Sequence, residues 1–247
     1  MNARRALTAQ TALEVRLVAR RGENLTVTLL IPLVLLGFLA LVPLGSLGTP
    51  GLDELVPGIL CLALISTGLV SLGIATAFER SNGTLKRLAG SPLPRWALLT
   101  AKALAVTATA VLQVALILGL ALVLGFAPPA GVAVGLVAAA PWLVLGTLAS
   151  AAAGLLLAGR LRAEATLAIA NAVYLLILLF GGLIVPLDRL PPALAGPAAV
   201  LPPALMADLV GGAFSSRPVD LGAALGLLAW TVVLALATLA TFRVEEG

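Results

Sequence analysis

The chain has 247 residues, of which 61% are hydrophobic and 11% charged, with a net charge of +4 and no histidine. Soluble domains are about 45–50% apolar and about 25% charged, so a water-soluble globule of this size lacks the polar residues to cover itself. Soluble enzyme, nucleic-acid-binding domain and disordered protein do not fit. Transmembrane spans of about 20 apolar residues do.

Residues 1–24 carry Arg4, Arg5, Arg16, Arg20 and Arg21 among Ala6, Leu7, Leu13, Leu17 and Val18 at helical spacings. That pattern predicts an amphipathic helix on the membrane surface. Six apolar stretches follow, near 25–47, 55–78, 103–126, 132–157, 165–186 and 219–242. Each is long enough to cross a hydrocarbon core of about 30 Å at about 1.5 Å rise per residue. Pro32 and Pro141 fall inside spans, and Pro57 is expected in the first turn of its span. Residues 243–247 form a short tail, and the whole chain reads as a single six-span domain. Residues 186–218 are apolar yet broken by Pro186, Pro191, Pro192, Pro197, Pro202 and Pro203. They predict a pair of short re-entrant or interfacial helices, with a collapsed external cap as the alternative.

An even number of spans places both termini on one side. Thirteen of the fifteen basic residues fall in segments on that side, and only Arg189 and Arg217 fall opposite. The asymmetry predicts that both termini are cytoplasmic, and it accounts for the basic excess without nucleic acid. Cys61 lies alone in an apolar run and behaves as a small hydrophobe. No Asp, Glu, Lys or Arg stands in the middle of a span, which disfavours ion-coupled carriers. No GxxxxGK[ST] occurs in the 247 residues, so nucleotide-driven transport would need an ATPase on another chain. No residue set suits catalysis or a metal.

The internal loop 79–102 reads ERSNGTLKRLAGSPLPRWALLTAK. Ser81 and Asn82 are expected as N-caps for a short helix over Thr84–Ala89, with Leu85 and Leu88 on one face. A second helix starts near Arg95 and runs into the third span. Such a helix is a handle for a partner; a basic loop serving topology alone is the other reading.

This segment resembles the type-2 ABC permease family, whose members include bacterial drug, lipid and polysaccharide exporters. The resemblance rests on Glu79, Gly83-Thr84-Leu85, Arg87-Leu88, Ser91-Pro92-Leu93 and Lys102, on the six-span layout, and on PLDRLPPALAGPAAVLPPALMADLV before the last span. It differs where many members carry an Arg after the segment matching Leu209-Val210; here Gly211-Gly212 follow. The resemblance implies an all-α permease half of an ATP-driven exporter of a hydrophobic or amphipathic compound in the bacterial inner membrane. It also implies a second permease half, and a separate P-loop ATPase that holds ATP and Mg. Gly83, Thr84, Leu85, Arg87, Leu88, Pro92 and Leu93 would meet that ATPase. A channel or carrier without an ATPase is the alternative.

Polar residues inside spans are few. Thr67 and Ser71 lie four apart on one helical face, Asn171 and Tyr174 share a face in the fifth span, and Gln113 lies in the third. Such groups often bond to their own helix. The resemblance assigns the dimer pathway to the second and fifth spans, which makes Thr67, Ser71, Asn171 and Tyr174 its expected lining.

Overall fold

The computed structural model describes residues 22–41, 51–85 and 95–242, and every regular element among them is helical. The interfacial helix expected over residues 1–24 lies outside the described residues, apart from residues 22–24, which open α1; the tail 243–247 lies outside as well. The helices are α1 (Gly22–Leu41), α2 (Leu52–Ser81), α3 (Arg95–Val123), α4 (Val132–Arg160), α5 (Ala163–Phe180), α6 (Pro192–Ala199), α7 (Pro202–Phe214) and α8 (Leu221–Thr241). Helices α2, α3, α4, α5 and α8 are each long and apolar enough to cross a membrane. Helix α1 is 20 residues long, about 30 Å at helical rise, and its residues 28–41 are apolar. The protein is an all-α integral membrane protein.

Helix boundaries follow local chemistry. Helix α2 starts at Leu52, where the Gly51 carbonyl accepts from the amides of Glu54 and Leu55 at 3.0 Å each. Pro57 therefore stands beyond the first turn, not within it as expected. Helix α5 stops at Phe180 rather than near 186, because Gly181 and Gly182 follow and Gly182 takes φ +74°. The carboxylate of Asp220 caps α8, accepting from the amides of Gly222 (2.7 Å) and Ala223 (3.2 Å).

The proline-rich segment folds as a 3-10 turn, Leu187–Arg189, followed by α6 and α7. Pro192 and Pro202 stand at the start of their helices, where a missing N–H costs nothing. The two helices meet at 79°, and the Trp230 indole of α8 donates to the Val200 carbonyl at that bend, 2.9 Å away. Helix α7 lies close on α4, because Gly135 and Gly146 leave room for Phe214 and Met206.

Helix α2 is the centre of the bundle. Of its apolar window 83% is buried, against 17–33% for the other four long spans. Close approach explains this. A Cβ on Gly154 of α4 would lie 2.5 Å from the Gly68 carbonyl oxygen, and one on Gly68 would lie 2.7 Å from the Ala151 nitrogen. Small residues let membrane helices gain dispersion contacts where no hydrophobic drive separates protein from lipid.

Candidate substrate cleft and loop base

Residues Ser66–Leu72 of α2 form a π-helical segment. Its hydrogen bonds run i to i+5, a departure from α-helix common at functional sites. The changed repeat reassigns faces. Ser66 and Ser71, five apart, both line a cleft of about 460 Å³ between α1, α2 and α5. Thr67, expected beside Ser71, instead turns inward and is buried. Its hydroxyl lies 3.0 Å from the Ala63 carbonyl and 2.8 Å from the Gln113 Oε1. Gln113 in turn donates to the Thr28 carbonyl at 3.3 Å, which ties α1 to the α2–α3 pair. Thr67 and Ser71 therefore do not share a face, because the helix there is not α.

The other expected positions come together. Asn171 and Tyr174 of α5 line the same cleft as Ser71, opposite Thr28, Ile31 and Pro32 of α1. The Asn171 amide also donates back to the Leu167 carbonyl, 2.8 Å away. Tyr174 shares the cleft wall with Ser66, a residue that sequence periodicity did not single out. Among the described residues the cleft wall carries hydroxyls and an amide on an apolar background and no charged side chain. Leu30, Val34 and Phe38 on α1 and Leu175 and Leu179 on α5 are exposed elsewhere on the same two helices.

At one end of the bundle the chain turns from α2 toward α3. Gly83 takes φ +69° and donates to the Arg80 carbonyl at 3.1 Å, a conformation suited to glycine at a helix C-terminus. Ser81 and Asn82 therefore close α2 rather than cap the next helix; the Ser81 hydroxyl donates to the Phe78 carbonyl at 3.1 Å. Helix resumes at Thr84. Leu85 was expected on an outward apolar face, yet it is 0% exposed and packs with Leu72, Leu98, Leu99, Val106, Leu155 and Phe242. It anchors the loop to the bundle. Thr84 is exposed. Arg87, Leu88, Pro92 and Leu93 lie outside the described residues.

Beneath the loop, Lys102 Nζ sits 2.6 Å from Glu79 Oε2, with the two side chains only 2% and 11% exposed. Neighbouring Arg80 is 5% exposed, and its guanidinium donates to the Leu161 carbonyl between α4 and α5. The opposite end of the bundle presents Asp53, Glu54 and Asp208 around a smaller pocket of about 320 Å³. There Arg217 pairs with Asp208 at 3.1 Å and lies over Gly211 and Gly212. The glycine pair that breaks the resemblance thus has an arginine laid across it from six residues on.

A family model described as "ABC-2 type transporter" matches residues 5–214. No curated protein matches the chain.

Proposed function

The chain belongs to the ABC-2 type transporter family, and on that premise we propose that it is the permease half of an ATP-driven exporter of hydrophobic or amphipathic compounds. A separate P-loop ATPase, holding ATP and Mg, supplies the energy at the Glu79–Lys102 end. The observation that carries this reading is the cleft between α1, α2 and α5. It is open, lies at the depth of the spans, and combines Ser66, Ser71, Asn171 and Tyr174 with an apolar wall. Such a surface suits a ligand with a large apolar body and few polar groups. Among the described residues nothing charged lines it, so a strongly ionic cargo would lose hydration without compensation.

The open side of the cleft is completed by a second permease half, this chain or a sister. Charge supports the orientation. Arg80, Lys102, Arg160 and Arg162 lie at one end; Asp53, Glu54, Asp188, Asp208 and Asp220 lie at the other with Arg189 and Arg217. The first end is cytoplasmic by the positive-inside rule, in a bacterial inner membrane.

The test is ATP-dependent uptake of a lipophilic fluorescent dye into inside-out vesicles carrying the permease and its ATPase. Uptake that requires both chains and ATP supports the reading. Uptake of equal rate without the ATPase supports an ATPase-independent transporter instead.

A further inference from the structure

We propose that Arg80 is a positioning residue that carries displacement of the Gly83 loop to α5, the helix presenting Asn171 and Tyr174 to the cleft. The proposal rests on the ATPase-driven reading above and names the route by which one wall of the cleft moves.

Glu79 and Arg80 are consecutive residues in the last turn of α2, and they engage different neighbours. Glu79 holds Lys102 on α3. Arg80 holds the carbonyl of Leu161. Leu161 and Arg162 are the whole joint between α4, which ends at Arg160, and α5, which starts at Ala163. The Leu161 carbonyl belongs to the C-terminal end of α4, where helix carbonyls lack intrahelical donors and the dipole favours a cation. A guanidinium meets both needs and, unlike an ammonium, presents several donors in a fixed plane.

The surrounding contact is stiff. Ala77 of α2, Ala158 of α4 and Ala163 of α5 are buried against one another, with no long side chain to absorb a shift. One turn from Arg80 and one turn into α5, the hydroxyls of Thr76 and Thr166 are buried without a partner. Buried hydroxyls are normally satisfied. In the proposed movement, these two open hydroxyls gain their bonds in the second arrangement of the contact. Beyond the joint, α5 is the least buried of the five long spans, at 17% of its window. It is held mainly at this end. Asn171 and Tyr174 lie about 12 and 17 Å along it from Ala163 at helical rise. A small tilt at Leu161 therefore moves both residues relative to α1.

The experiment uses the permease–ATPase complex in vesicles, with Arg80→Ala and Arg80→Lys. Two quantities are read: substrate transported per ATP hydrolysed, and the nucleotide-dependent distance between spin labels at exposed Leu30 on α1 and Ala172 on α5. Arg80→Ala is expected to assemble and hydrolyse ATP. Its transport per ATP should fall about 2- to 30-fold, the range for coupling residues that touch neither ligand, and the label distance should stop responding to nucleotide. Arg80→Lys should recover part of both. Unchanged transport per ATP and an unchanged distance response in Arg80→Ala overturn the proposal alone. Failure of both variants to assemble also overturns it, leaving Arg80 a structural role only. If Arg80→Ala alone fails to assemble, an unchanged ratio in Arg80→Lys overturns it. A parent complex without ATP-dependent transport overturns the functional reading, and this proposal with it.

Discussion

Glu79 and Lys102, 23 residues apart in sequence, meet at 2.6 Å and close the base of the loop between α2 and α3. Both are nearly buried, so neither carboxylate nor ammonium has bulk water to fall back on. Breaking a buried ion pair by removing one partner costs about 3–5 kcal/mol. Glu79→Gln and Lys102→Met should each lower the unfolding temperature of the detergent-solubilised protein. The exchanged pair Glu79→Lys with Lys102→Glu should regain part of the loss. An exchange no better than either single change would mean that the pair does not hold the loop.

The crossing of α2 and α4 makes a second expectation. Gly68 and Gly154 approach so closely that a Cβ on either meets backbone at 2.5–2.7 Å. Backbone cannot swing aside as a side-chain tip can, and overpacking costs about 1–3 kcal/mol or more. Gly154→Val should therefore abolish a monodisperse elution profile, whereas Gly119→Ala, with open space around it, should leave the profile unchanged.

Ser66, Asn171 and Tyr174 should separate from Thr67 in their effects. Tyr174→Phe, Ser66→Ala and Asn171→Ala remove polar groups from the cleft and should change the pattern of substrate-stimulated ATPase activity while expression holds. Thr67→Val instead removes a bond within the α1–α2–α3 contact. Interhelical bonds in membranes are worth about 0.6 kcal/mol, up to about 1.7, so a modest thermal shift with an unchanged substrate pattern is expected. Substrate effects from Thr67→Val equal to those of Tyr174→Phe would contradict this division.

Much of the fold was legible because the bilayer imposes it. Span lengths and the proline punctuation of residues 186–218 each express one physical requirement, and among the described residues five long apolar helices, the apolar stretch 28–41 of α1 and a bent pair result. That Asn171 and Tyr174 share a face was legible because α5 is a regular helix. The shared face expected of Thr67 and Ser71 was misread because a π-segment preserves composition while changing the repeat; no residue type announces it. Ser66 was missed for the same reason. Leu85 was misread because helical spacing shows that two leucines share a face but not whether that face meets a partner or the chain itself. Arg80 carried no signal beyond its charge, since its partner is a backbone carbonyl 81 residues away.

Leu85 gives a fourth expectation. Fully buried among Leu72, Leu98, Leu99 and Phe242, it should cost about 2–5 kcal/mol on truncation to alanine. The loss should appear as thermal destabilisation of the permease alone, before any ATPase is added. A Leu85→Ala protein as stable as the parent, but unable to bind the ATPase, would put Leu85 on the partner contact after all.

The central claim is that this permease works through a separate nucleotide-binding chain. Purification of the full chain from its native membrane under mild detergent, with mass analysis of the intact assembly, tests it most directly. Two permease halves with two P-loop ATPase chains are expected, with ATP hydrolysis that disappears when the ATPase is stripped away. A permease that purifies without any ATPase, yet moves substrate in vesicles on its own, would contradict it.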